Sequence, residues 1–162
     1  MNLDAIVGRM AGYPAALRAI VASVSSEDVK WKPGPEHWSI LEVCCHLLDE
    51  EREDFRLRLR STLEDPGRAW APLDLTNVAT LRGYNARDLG NTLDDFDKER
   101  ADSIAWLRSL RSVDWSTAYV HPKVGPVRAG ELMASWAAHD ALHLRQISKR
   151  LYELAARDAP GV

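Results

Sequence analysis

Leu3, Ile6, Val7, Met10, Leu17, Ile20, Val21 and Val24 recur at helical spacing along the first stretch of the chain, so they gather on one side of an α-helix. Gly12-Tyr13-Pro14 falls in the middle of that stretch. A proline inside a helix removes a backbone donor and crowds the preceding turn, which predicts a kink or two shorter helices over Leu3 to Val24. Ser25 to His37, containing Lys32-Pro33-Gly34-Pro35, is too rich in proline and glycine to continue it.

Ser39-Ile40-Leu41-Glu42 is a capping-box sequence, in which the serine hydroxyl accepts from the amide three residues on and the glutamate reaches back. A second helix is therefore expected from Ser39 through His46, Phe55 and Leu59 to about Leu63, where Pro66-Gly67 stops it. Ile40, Val43, Cys44, Leu47, Leu48 and Phe55 form its apolar side. A long irregular connector from about Glu64 to Asn91 holds a short helix around Thr76 to Arg82 and is interrupted by Gly83 and Gly90. Asn91 or Thr92 is expected to cap a third helix, which runs to about Leu110 with Leu93, Phe96, Ile104, Leu107 and Leu110 inward. Trp115 to Arg128 allows an extended or hairpin-like loop around Gly125-Pro126. The last helix, about Ala129 to Ala156, presents Met133, Trp136, His143, Ile147 and Leu151 on overlapping parts of one surface. Four long amphipathic helices, with strand-like alternation confined to a short piece near Val120, predict an all-α four-helix bundle.

Composition narrows this in three ways. A length of 162 residues fits one domain over residues 1–162 and needs no disulfide or metal as a structural staple. A formal charge of −3 with acids and bases intermixed offers no basic stripe for phosphates, which argues against nucleic-acid binding. No apolar run approaches the roughly 18 to 20 residues that span a bilayer, and Met1-Asn2-Leu3-Asp4 does not open a secretory signal. A cytoplasmic protein without membrane contact is the expectation. The two cysteines, Cys44 and Cys45, are adjacent in a predicted helix and read as reduced core residues.

The candidate chemistry lies in the histidines. His139 and His143 are one helical turn apart, and at about 100° per residue they share a face with Gln146 beside the apolar stripe of the last helix. His46 occupies the flank of the apolar stripe on the second helix, so three imidazoles could meet at one end of the bundle. Three neutral imidazoles hold a divalent ion and leave a position open for water or substrate. Such nitrogen ligands suit zinc, nickel, iron or copper better than magnesium or calcium, and zinc, nickel, iron and manganese are the ions to test. Two histidines at this spacing also arise on ordinary exposed helices.

Glu50, four residues after His46, is the candidate catalytic base, an extra ligand, or a solvated acid paired with a nearby arginine. Asp140 falls in the apolar stripe, where an unpaired carboxylate is costly; it is expected either to accept from His46 or to form a structural ion pair. Trp38 and Trp136 could wall a pocket, although packing is the simpler role. His37 and His121 lie in connectors and are not expected to ligate a metal. The run Arg52, Arg56, Arg58, Arg60 alternates with acids and reads as a solvated ion-paired face, with an anionic substrate near its end as the alternative.

The segment Trp38-Ser39-Ile40-Leu41-Glu42-Val43 leading to His46-Leu47 and Glu50, with His139-Asp140-Ala141-Leu142-His143 and Gln146-Ile147 far downstream, resembles the DinB-like superfamily, the damage-inducible, YfiT-like metal-binding bundles. The resemblance spans nearly the whole chain. It implies an up-down-down-up helix order with a kinked first helix and a long connector between helices two and three. It also implies a homodimer, and a divalent metal held by His46, His139 and His143. Members of that family include thiol-dependent transferases using low-molecular-weight thiols and proteins described as metal-dependent hydrolases. Two functions are therefore expected for this chain. One is a metal-dependent enzyme acting on a small-molecule substrate, by thiol S-transfer or conjugation first and by hydrolysis second. The other is a non-catalytic, stress-associated bundle that holds a metal or ligand in the same place.

Overall fold

A computed structural model describes residues 1–72 and 76–159. Residues 73–75 of the expected connector, and 160–162, lie outside the described residues. Helix α1 spans Leu3–Val21, and Asn2 caps it by accepting from the Ala5 amide at 3.1 Å. The helix continues through Pro14, so the two shorter helices do not form. Pro14 cannot donate to the Met10 carbonyl four residues back. Arg100 Nη1 donates to that buried oxygen instead, at 3.3 Å.

The Ser39 capping box forms as its sequence predicts: Ser39 Oγ accepts from the Glu42 amide at 3.1 Å, and Glu42 Oε2 accepts from the Ser39 amide at 2.8 Å. The expected helix from Ser39 to Leu63 is divided, however. Helix α2 covers Ile40–Glu53 and α3 covers Phe55–Glu64, with Asp54 between them at φ −118° and ψ −88°. The Asp54 carboxylate is buried against Arg58 Nε at 2.5 Å. No glycine or proline marks this break, which is why helical periodicity passes over it.

A short helix α4, Val78–Leu81, and a 3₁₀ turn at Tyr84–Ala86 occupy the connector. Helix α5, Leu89–Ser109, starts earlier than expected. Asp88 is its cap, accepting from the Asn91 amide at 2.8 Å, and Thr92 bonds back to the Asp88 carbonyl at 2.7 Å inside the first turn. Strands β1, Ala118–His121, and β2, Gly125–Arg128, pair antiparallel as a hairpin. Gly125 takes φ +78° at its turn, a conformation that favours glycine. Helix α6 then runs through Ala129–Asp158. No helix among the described residues is long and apolar enough to cross a membrane.

The long helices pack as a bundle: α5 lies against α1 and α2, and α6 against α1, α2 and α3. One apolar core collects Leu17, Ile40, Leu47, Phe96 and Ile147; the other collects Met10, Leu59, Leu107, Met133 and Trp136. Arg100, 2% exposed, bridges helices at depth. It donates to Glu51 at 2.8 and 3.0 Å and to Asp140 at 2.5 and 2.9 Å, while Trp136 Nε1 donates to Glu51 Oε2 at 2.9 Å. Replacing Arg100 by methionine leaves two buried carboxylates without their cation. Urea unfolding of Arg100→Met is expected to show a loss of about 3–5 kcal/mol, with Arg100→Lys between it and the wild type.

Candidate metal centre

Helix α2 is buried on nearly every side, so its acids must find partners. Glu42 has Lys32 at 3.0 Å; Asp49 accepts from Tyr84 Oη at 2.6 Å and Arg82 at 2.5 Å; Glu51 has Arg100 and Trp136. Glu50 differs. Among the described residues no lysine or arginine forms an ion pair with it; the Asp54 carboxyl and the His46 ring, whose Nδ1 lies 3.9 Å from Glu50 Oε1, are beside it, and Arg58 and Asp49 act on it from further away. Burial first, then Asp54, pushes the Glu50 carboxyl up to about 8.

His46, His139 and His143 converge as their spacing predicts. Each offers a ring nitrogen, and the three atoms lie within 4.8 Å of one another. Ring centroids are 5.3 Å apart for His46 and His139, 4.7 Å for His46 and His143, and 4.4 Å for His139 and His143. The Nε2 atoms of His139 and His143 are 3.1 Å apart. Two nitrogens bound tetrahedrally at ~2.0–2.1 Å from one ion stand about 3.3 Å apart, so the pair needs little movement to share one.

Gln146 Oε1 accepts from His143 Nδ1 at 2.8 Å, which leaves the Nε2 lone pair facing His139. His46 Nδ1 is buried and has no hydrogen-bond partner. Buried polar atoms in protein interiors are usually paired. Trp38 meets the His46 ring edge-on at 4.8 Å, and Phe55 meets His139 at 5.0 Å. Phe55 also stacks parallel on Trp136, centroids 6.1 Å apart.

This surrounding lowers every imidazole. Burial first, then the like charge of His143, brings His46 to about 4; burial, His143, His46 and Arg100 bring His139 to about 3. Burial also lowers His143, opposed by Gln146. All three are neutral near pH 7, the state that binds a metal ion.

A family model for the DinB superfamily matches residues 12–147. The chain belongs to the DinB superfamily. Among solved structures, YfiT from Bacillus subtilis is similar with a TM-score of 0.83 at 18% identity, over 94% of this chain and 87% of that one. That protein is described as a probable metal-dependent hydrolase with an unusual four-helix bundle topology. At this identity the likeness carries the fold. No curated protein matches the chain.

In this DinB-superfamily chain Asp140 does not reach His46; Arg100 is its partner, because a buried carboxylate is best compensated by a buried guanidinium. Trp136 packs in the core, whereas Trp38 stands at the triad. His37 pairs with Glu36, and His121 packs beside Trp70 and Tyr119, so neither joins the other three. Burial pushes the Cys44 thiol up to about 12 and Cys45 to about 11, which makes both inert. Phe55 was expected only as an apolar residue; its ring contact with His139 follows the Asp54 break, which has no glycine or proline to mark it in the sequence.

The histidine shifts give a pH dependence for metal-free protein. A histidine lowered on folding binds its proton more readily in the unfolded chain, so its stabilising contribution is present above about 6.5 and is lost as pH falls toward 3 to 4. Glu50 contributes the opposite slope between about 4.5 and 8. Thermal melts of chelator-treated wild type and His139→Asn isolate the histidine part: the variant should lose less stability than the wild type between pH 6.5 and 4, and equal losses would refute the buried neutral state.

Proposed function

We propose that this chain is a metal-dependent hydrolase of a small-molecule substrate, with His46, His139 and His143 holding one divalent transition-metal ion. The observation that carries this is the convergence of one ring nitrogen from each of three neutral histidines within 4.8 Å of one another. A divalent ion held by three imidazoles supplies Lewis acidity to an oxygen of water or substrate.

The chain's own residues supply the rest. Gln146 fixes the His143 tautomer and keeps Nε2 directed at the site. Glu50, whose Oε1 lies 3.9 Å from the His46 ring and which no lysine or arginine pairs among the described residues, is the carboxylate placed to take a proton from the attacking water and return it to the leaving group. Trp38 and Phe55 flank the imidazoles and limit bulk water around them. Thiol transfer, the other enzymatic expectation, would draw its thiol from a small molecule, since Cys44 and Cys45 stay protonated. We further infer the up-down-down-up helix order. It is supported by the length of the segment between α3 and α5, residues 65–88, which can run back along the bundle.

Elemental mass spectrometry on untagged protein is expected to find about one transition-metal ion per chain, lost from a His139→Ala/His143→Ala double variant. Glu50→Gln should retain the ion and lose hydrolysis of activated esters or amides by about 10²–10⁴-fold. Metal uptake without turnover on hydrolytic or thiol-transfer substrates would favour the ligand-holding alternative. Absence of uptake from zinc, nickel, iron and manganese would refute the site.

A further inference from the structure

The metal centre has a floor and a rim. His46 and Glu50, each 5% exposed, lie at depth on α2, whereas Trp38, Phe55, His139, His143 and Gln146 are half-buried and keep part of their surface open. A molecule entering from solvent therefore meets the rim before the His46 ring. Two of the rim residues are aromatic and touch different histidines: Trp38 stands edge-on to His46, with ring centroids 4.8 Å apart, and Phe55 edge-on to His139 at 5.0 Å. Leu142 follows His139 by three positions on α6, so it neighbours it on the helix surface, and it is 61% exposed. The approach to the centre thus has an apolar, largely aromatic side.

The cations nearby are already committed. Among the described residues no lysine or arginine bonds to Glu50 or to any of the three histidines. Arg58 acts on Glu50 and Arg100 on His139 only from a distance. Arg58 Nε is held by Asp54 at 2.5 Å, and all three guanidinium nitrogens of Arg100 donate to Glu51, Asp140 or the Met10 carbonyl. The rest of the arginine run is spent in the same way, Arg52 and Arg56 on Glu99 and Arg60 facing Glu64 at 3.8 Å. No cation is left to pair with a negative group on a substrate, and an anion brought beside the Glu50 carboxylate without a partner is costly.

We propose that the substrate of this centre is an uncharged ester or amide whose group next to the reacting carbonyl is flat and apolar, seated against Trp38 and Phe55 with Leu142 at the entrance. This rests on the metal-dependent hydrolase reading and adds selection to it. Metal binding by itself does not distinguish one ester or amide from another; the two rings discriminate by the apolar area they cover.

The test uses the full chain loaded with zinc or, failing uptake, with nickel, iron or manganese, and reads binding by isothermal calorimetry. The probes are four hydroxamates, each able to hold a metal ion through its own two oxygens: acetohydroxamate, butyrohydroxamate, benzohydroxamate and succinic monohydroxamate, which carries a carboxylate where butyrohydroxamate carries a methyl group. Benzohydroxamate is expected to bind about tenfold more tightly than acetohydroxamate, and succinic monohydroxamate about tenfold more weakly than butyrohydroxamate. Trp38→Leu and Phe55→Leu keep an apolar side chain, so each should retain the ion and its affinity for acetohydroxamate while the preference for benzohydroxamate falls about threefold. A packing role alone would weaken both ligands together. Equal affinity for benzohydroxamate and acetohydroxamate, succinic monohydroxamate as tight as butyrohydroxamate, or an unchanged preference in both variants would overturn the proposal and leave the metal site standing. Failure to take up any of the four ions, seen by elemental analysis before the titration, would refute the site and this selection together.

Discussion

Everything in this bundle is arranged around the need to compensate one buried guanidinium. Arg100 on α5 is inside the protein, and a charge there is tolerated only with full pairing. Glu51 supplies one carboxylate from α2, Asp140 a second from α6, and the Met10 carbonyl an acceptor from α1. The last contact solves a separate problem, since Pro14 leaves that carbonyl without its helical donor. One side chain thus ties four helices and removes the penalty of a proline within the first. Glu51 adjoins Glu50, and Asp140 adjoins His139, so the same clamp fixes the backbone from which the candidate site is built.

Beside that clamp the polar groups are treated in the opposite way. Glu42, Asp49 and Glu51 are matched with cations or hydroxyls and serve the fold. Glu50 is raised by burial first and then by the neighbouring Asp54 carboxyl, while the imidazoles of His46 and His139 are lowered, again by burial first. Environments that push neighbouring titratable groups apart distribute acid and base roles in enzymes. Here the division falls within a single helix, between consecutive residues Glu50 and Glu51. Glu51 is thus matched by Arg100 and Trp136, while Glu50 has no such cation.

How much of this is legible in the sequence depends on the range of each interaction. The Ser39 capping box, the turn at Gly125 and the shared face of His139, His143 and Gln146 are local, and each is readable from residue spacing. The helical class and the third histidine follow from periodicity over longer segments, although the expected second helix is divided at Asp54. The Asp54 break, the Asp88 cap and the partner of Asp140 are not readable in this way. Asp88, Asn91 and Thr92 are all compatible caps standing close together, and it is Asp88 that accepts from the Asn91 amide. Asp140 announces through its burial that it needs a partner, but nothing in its neighbourhood along the chain identifies Arg100. Pro14 signals strain locally, whereas its remedy comes from another helix.

Polar satisfaction also separates structural from functional groups, provided that convergence is required as well as absence of a partner. Asp97 Oδ1 and Arg150 Nε are buried and unbonded too, yet each belongs to a group already held through another atom, by Arg18 and Glu153 respectively. Such atoms cost stability without describing a ligand. His46 Nδ1 is different because two further ring nitrogens stand within reach of the His46 ring, and the aromatic rings of Trp38 and Phe55 close around the group. Phe55 is the first residue of α3 after the break at Asp54, and its ring meets both Trp136 and His139. Burial is what keeps the three adjacent imidazoles neutral, and part of the aromatic surface beside them comes from a residue next to a helix break that periodicity passes over.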